Sequence, residues 1–249
     1  MVAASRRTLL RLGPAALLYA LGSRRALAEP LQGAVFEGLR AMNELALALR
    51  RGELSPTAWQ DEMARLVATL DVAEASLALD LERLAATPSL PDDRARVREL
   101  SFPALDQALR EAGLRPRLFA LGQGRAIVPH GHHGMVSMHW ILRGTLHGRH
   151  FDRLERTPTH VLMRPTLDAV LGPGAATSIS DDRDNIHWFV AVEGPALTLD
   201  VIVSHLQPQG PHGRFYVDPR AAEDLGQGRL RAPILTPQQA RRRYGRGWG

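Results

Sequence analysis

The hydrophobic pattern of this chain changes period once, near residue 114, and that switch restricts the fold to a run of helices followed by a β-rich body. Before the switch, Val35, Leu39, Met42, Ala46 and Leu49 recur at three- and four-residue spacing, the single apolar stripe of a surface helix. Ser55-Pro56 is an N-cap followed by proline in the first turn, and Trp59, Met63, Leu66 and Leu70 continue that helix's buried face. A third segment carries Leu77, Leu81 and Leu84 and ends before Pro88. Ser101 to Gly113 is a short fourth helix with Leu105 and Leu109 inward and Gly113 as terminator. After the switch, strand composition recurs in Leu118–Leu121, Ala126–Val128, Val136–Leu142, Thr145–Phe151, Val161–Met163, His187–Val192 and Leu197–Val203. Arg143-Gly144 and Pro173-Gly174 mark tight connections. Short strands at regular spacing predict a closed or sandwiched β-barrel, so the fold class is mainly β with an α-helical N-terminal region.

The chain has no cysteine, which removes disulfides, thiolate metal ligands, a cysteine nucleophile and a lipid-anchored N-terminus together. It has no lysine either, so every side-chain cation other than histidine is arginine. The formal charge of +5 is concentrated at the start: Arg6, Arg7, Arg11, Arg24 and Arg25 precede the first acid, Glu29. Subtracting those five leaves a body near neutrality, without the electrostatic footprint of a nucleic-acid-binding protein. Arg241-Arg242-Arg243 with Arg246 is the remaining basic cluster and is expected to be a solvated, frayed terminus.

Ser5-Arg6-Arg7-Thr8-Leu9-Leu10-Arg11 resembles a twin-arginine export signal. The apolar stretch from Leu12 to Gly22 is shorter than the ~20 residues that span a bilayer. Ala26-Leu27-Ala28 has the small-x-small pattern of a cleavage site, which puts the mature start near Glu29. These features imply a periplasmic or secreted protein, the twin-arginine export machinery as a partner, and no stable membrane anchor after cleavage. The expected organisation is a signal peptide at 1–28, a helical region at 29–113, a barrel at 114–218 and a C-terminal tail at 219–249.

All ten histidines lie between His130 and His212. Gly124, His130, Gly131, His132, Ser137 and Gly144 keep the spacing of the first cupin motif, with Ser137 where that motif has glutamate. Residues two apart on a strand project to one face, so His130 and His132 can share one metal inside a small jelly-roll barrel. His187, in Asp184-Asn185-Ile186-His187, stands where the second cupin motif places a further ligand. His133, His139 and His147 are read as non-ligands. His133 lies in the turn, at the cavity mouth, and His139 is expected to alternate with the ligand face or pack beside it.

Pro129-His130-Gly131-His132-His133-Gly134-Met135, with Leu142 to His147 and Phe151-Asp152, resembles the first half of the cysteamine dioxygenase and plant cysteine oxidase family. Arg183 to His187, Ala191 to Ala196 and Leu199-Asp200 are similar to its second half, and Arg214-Phe215-Tyr216 echoes its closing aromatic strand. The resemblance implies a double-stranded β-helix that uses Fe(II) and dioxygen to oxidise a small thiol or N-terminal cysteine to a sulfinate. It also places Asp200 at the family's acidic, catalytic position. Two positions depart from the family: His133 replaces its usual proline, and Leu206 stands where a tyrosine is usual.

Three neutral imidazoles leave a divalent ion its full charge and about three open positions, and such a centre favours an anionic thiolate. Arg125, Arg143 and Arg149 are candidates to hold a substrate carboxylate. Two further readings stay open: a metallocupin for carbon substrates or isomerisation, and a non-enzymatic metal-binding cupin with the helical half as its partner surface.

Overall fold

The computed structural model describes residues 33, 35–82, 90, 94–102, 105–207, 209–210 and 213–246. The twin-arginine segment at 1–28 and Leu84 of the third apolar segment lie outside them. Among the described residues, no helix is long and apolar enough to cross a membrane.

Four helices precede the main body. In α1 (residues 35–50) the predicted stripe is the buried face: Leu39, Met42, Ala46 and Leu49 are all buried. In α2 (Pro56–Val67) the Ser55 side chain accepts the Ala58 N–H at 3.1 Å, and Trp59, Met63 and Val67 are buried. In α3 (Val72–Ala78) the Asp71 side chain caps Glu74 N–H at 2.8 Å. Its inward residue is Ala75, followed by Leu81, while Leu77 is 68% exposed, contrary to the expected stripe. In α4 (Asp106–Ala112) Gly113 ends the helix in the left-handed conformation, at φ 65°.

The strands are β1 (Arg96–Glu99), β2 (Leu114–Leu121), β3 (Ala126–His133), β4 (Met135–Arg156), β5 (His160–Leu171), β6 (Ala176–Ile179), β7 (Ile186–Ser204), β8 (Gly213–Val217), β9 (Glu223–Asp224) and β10 (Leu230–Leu235). Every pairing is antiparallel, and β7–β3–β8–β10–β5–β4 closes on itself through the β4–β7 ladder. Strands β2 and β1 extend β7 on one side, and β6 extends β4 on the other. This is the predicted mainly β architecture, a cupin jelly roll preceded by helices.

Two expected boundaries shift. Strand β1 lies inside the 29–113 segment yet pairs with β2, so that segment is not wholly helical. The 219–249 tail contributes β10 to the closed circuit and ends in α5 (Pro237–Tyr244), which a Thr236–Gln239 capping box starts. Tyr244 is fully buried against Trp188, and Arg243 pairs with buried Asp218. The arginine cluster therefore sits on a docked helix and not on a frayed end.

The strands expected at 136–142 and 145–151 are one strand, β4, as those at 187–192 and 197–203 are one strand, β7. Each changes partner along its length: β4 pairs β6 and then β5, and β7 pairs β3 and then β2. Gly144 is not a turn but an irregularity within β4: the β4–β7 register shifts around it, and its φ is +70°. Such bulges let a strand bend from one sheet into the other. A Cβ at Gly144 would lie 2.8 Å from both Ala196 Cα and Glu193 O, which are backbone atoms with little freedom to yield. Gly144→Ala is expected to cost at least about 2 kcal/mol from left-handed strain and crowding together. In a thermal melt that is a loss on the order of 5 °C.

Alternation along β4 and β7 separates two interiors. Met138, Trp140, Leu142, Leu197, Leu199 and Val201 face outward and pack with Leu39, Met42, Trp59, Met63 and Leu109 of the helices. The helical region thus covers one outer face of the roll. Ile141, Leu146, Phe189, Ala191 and Ala196 point the other way, into the barrel, with Leu121 and Ile127.

Candidate metal centre

The three predicted ligands converge inside the roll. His130 and His132 on β3 and His187 on β7 each offer a ring nitrogen, and these nitrogens lie within 4.8 Å of one another. The register explains the meeting: His130 is the direct cross-strand partner of His187, and such partners share a face. Gly131 lies between the two β3 ligands because nothing larger fits. A Cβ there would stand 2.2 Å from the Phe215 ring and 2.9 Å from Asn185 Oδ1. Asn185 is buried, and its amide donates to His132 O at 3.0 Å and Ser180 O at 2.9 Å, tying the segment before His187 to the ligand strand.

These imidazoles fit a cation. His130 Nδ1 lies 2.8 Å from Val128 O, so it is the protonated nitrogen and Nε2 carries a free lone pair. His130 Nε2 and His187 Nε2 are 3.1 Å apart. Two nitrogens bound at right angles to one ion, each at about 2.1 Å, stand about 3 Å apart. Burial keeps all three rings neutral and able to ligate. It pushes His130 down to about 3, with the Arg214 charge adding to the effect. His132 and His187 are also driven well below the ordinary histidine value, first by burial and next by the neighbouring His130, beside which a second imidazolium would be repelled. With no cysteine in the chain, this is a nitrogen-only donor set.

Asp200 is buried on the inner face of β7, outside the three-histidine group. Ser137 Oγ donates to Asp200 Oδ1 at 2.5 Å, and His139 Nε2 stands 3.7 Å from the same oxygen. The residue that replaces the motif's glutamate therefore holds the acid. His139 lies inside the barrel, its ring centroid 5.4 Å from that of His187, and its Nδ1 is 3.2 Å from Thr198 Oγ1. It stands between the ligand layer and Asp200. His133 is at the rim, with Arg153 and Arg156 donor nitrogens 3.0 and 3.2 Å from its two ring nitrogens. His147 is on the outer face, bonded to Asp168.

Sequence reasoning missed His150, which is buried on β4 directly opposite His187. Burial lowers it to about 3, and among the described residues its Nε2 meets no hydrogen-bond partner. The available signal was parity: with Leu146 inward, every second residue of β4 follows it. The arginine candidates were misplaced. Arg143 pairs with Glu82 at 3.0 Å, Arg149 lies on the outer face with its guanidinium 4.7 Å from the Trp188 ring, and Arg125 is in the turn before β3. By register, Arg117 starts from the face that carries Asp200 and is largely buried, while Arg214 starts opposite His132 and is exposed at the rim. Leu206 packs with the helical layer, and among the described residues Tyr216 on β8 stands beside the ligands, its ring centroid 6.0 Å from that of His130.

No protein-family model matches the sequence. No curated protein matches it either. Among solved structures the chain is similar to oxalate oxidase in complex with glycolate, at 17% identity and a TM-score of 0.37 over 53% of this chain and 59% of that one. It is also similar to procruciferin, an 11S globulin from Brassica napus, at 12% identity and a TM-score of 0.36 over 47% of this chain and 27% of that one. Pumpkin seed globulin gives 12% identity and a TM-score of 0.36 over 51% and 29%. The chain covers less than two thirds of the length of each. By its closed strand circuit and its buried imidazoles, the chain is a mainly β protein of cupin fold with a three-histidine group able to hold one metal ion.

Proposed function

We propose that this protein is a non-haem iron thiol dioxygenase, with His130, His132 and His187 holding Fe(II). The observation that carries this reading is the donor set: three neutral imidazoles and no carboxylate among them. Bound there, the ion supplies a site that takes a thiolate and dioxygen side by side and lowers the thiol pKa. The net reaction adds both atoms of one O2 to sulfur, RSH + O2 → RSO2H. Sulfur gives up the four electrons that O2 takes up, so no external reductant enters.

The chain's own residues have separate parts in this scheme. Val128 O fixes the His130 tautomer, and Gly131 lets β3 lie close enough to β8 for its two histidines to reach the ion. Asp200 is the catalytic carboxylate. Ser137 and His139 both approach Oδ1, which leaves Oδ2 to accept a proton or an N–H of the bound thiol. Phe189, Ile141 and Leu146 line the apolar end of the barrel and exclude water from it.

Iron-loaded protein is expected to consume O2 in the presence of a small thiol and to release a sulfinate carrying both atoms of labelled O2. Iron bound at one ion per chain, with no O2 uptake across a panel of cysteine, cysteamine and 3-mercaptopropionate, would end the thiol reading in favour of another metallocupin chemistry.

A further inference from the structure

His187 stands in the middle of a row of side chains that crosses the barrel wall. On one side its cross-strand partner is His130 on β3, and on the other it is His150 on β4. Cross-strand partners share a face, so all three rings start from the same inner surface. The His130 side of the row is complete. His130 Nδ1 donates to Val128 O at 2.8 Å, and the Nε2 atoms of His130 and His187 stand 3.1 Å apart. His187 therefore turns Nε2 toward the common ligand point, which leaves Nδ1 on the other side of its ring. A ring that ligates through Nε2 carries its proton on Nδ1, and a ligating histidine gives that proton to a fixed acceptor in nearly every metal site. Here Nδ1 of His187 is buried and, among the described residues, meets no hydrogen-bond partner.

Few groups can take that proton. His139 stands 5.4 Å from His187 by ring centroid, but its Nδ1 is engaged with Thr198 Oγ1 at 3.2 Å and its Nε2 is directed to Asp200 at 3.7 Å. Phe189 packs against both His187 and His150, at centroid distances of 5.5 and 5.6 Å, and presents an apolar wall to them. His150 remains. It is 2% exposed, its ring centroid lies 6.2 Å from that of His187, and its Nε2 is buried without a partner among the described residues. One of these two buried nitrogens has to donate and the other is able to accept, so each is costly alone and compensated by the other. Two imidazoles hydrogen-bonded directly have centroids about 5 Å apart, whereas one water between their nitrogens sets about 6 to 7 Å. The observed spacing falls in the second range.

We propose that His150 is the positioning residue for His187: its Nε2 accepts a hydrogen bond from one bound water, which in turn accepts the His187 Nδ1 N–H. The ring of His187 is thereby held with Nε2 toward the ion, as Val128 O holds His130. The inference rests on the ligand assignment in the proposed function and is independent of the thiol chemistry.

The test uses the whole protein with Zn(II), a metal that three imidazoles also take, and reads affinity by competition against a coloured chelator. His150→Leu roughly keeps the volume and removes the acceptor. It is expected to weaken Zn(II) binding about 10–100-fold, the cost of losing a group that orients a ligand. The loss is of affinity and not of the site, which still fills when metal is supplied. His150→Gln, whose side-chain oxygen can accept from the same water, is expected to stay within about threefold of wild type. A residue that only filled space would give the reverse order, since leucine suits an apolar interior better than glutamine. A second measurement needs no variant. Nitrogen NMR of labelled histidines in the Zn(II)-loaded wild type is expected to show His150 protonated on Nδ1 with Nε2 bare, and His187 protonated on Nδ1. An Nε2–H tautomer of His150, equal losses in His150→Gln and His150→Leu, or a His150→Leu affinity within about twofold of wild type overturns the proposal. Wild type that binds no Zn(II) removes the centre itself and the proposal with it. Tight binding by wild type that His150→Leu leaves unchanged keeps the centre and removes only the part given to His150.

Discussion

His130→Ala, His132→Ala and His187→Ala will each strip the metal from the purified protein, whereas His150→Ala and His147→Ala will leave about one ion per chain. The contrast follows from position. The first three offer nitrogens to a common point, while His147 is outside the barrel and His150, though buried beside His187, lies outside the converging group. Loss of a partner that merely orients a ligand costs about 10–100-fold in metal affinity. Loss of one of three ligands is expected to exceed 100-fold, which empties the site during purification. Elemental analysis of folded variants checks this, with circular dichroism to establish that the barrel has formed. Retention of wild-type metal content in any of the three would remove the centre as drawn, and loss in His147→Ala would show that metal content follows general damage.

The second large effect concerns stability. Trp140 is 2% exposed and faces away from the metal centre, into the layer between the roll and the helices, where Leu39, Met42 and Leu199 surround it. Trp140→Ala removes the largest side chain on that face and leaves a cavity that the closed strands and capped helices cannot collapse to fill. The expected cost is 3–5 kcal/mol, about the value for a buried tryptophan or phenylalanine. For a chain of this length that corresponds to a fall on the order of 10 °C in Tm. The folded fraction is expected to bind metal normally, since the neighbouring inward residue, His139, is untouched. A Tm within about 2 °C of wild type would mean that the helical layer is not fastened at this position.

The sequence carries the ligands more clearly than the residues around them. His130 and His132 were legible because a two-residue spacing fixes a face and the glycines around them keep the first cupin spacing, and His187 from its place in the second motif. Helices α1, α2 and α4 were legible from apolar spacing and from Ser55, Pro56 and Gly113 at their ends. Leu77 misled because its spacing suits a stripe, but on a helix of seven residues the buried face is set by where Ala75 and Leu81 meet the sheet. The continuity of β4 through Gly144 was hidden because a glycine reads as a turn, while its actual role, a left-handed bulge, depends on Glu193 and Ala196 some fifty residues on. The placement of two arginines was hidden for the same reason. Arg117 and Arg214 take their positions from the register of β2 with β7 and β8 with β3, which no local pattern reports. Likewise the docking of α5 follows from Tyr244 reaching Trp188 and Asp218 across the fold.

Along β4 the chain alternates between Met138, His139, Trp140 and Ile141, and along β7 between Leu199, Asp200 and Val201. The partition between the helical packing and the barrel interior is therefore a single backbone thick. A displacement of α1 or α2 against Trp140 has no cushioning layer to absorb it before it reaches the acid and the histidine beside it. Grafting a different helical segment onto this roll would amount to editing the histidine-lined interior from behind.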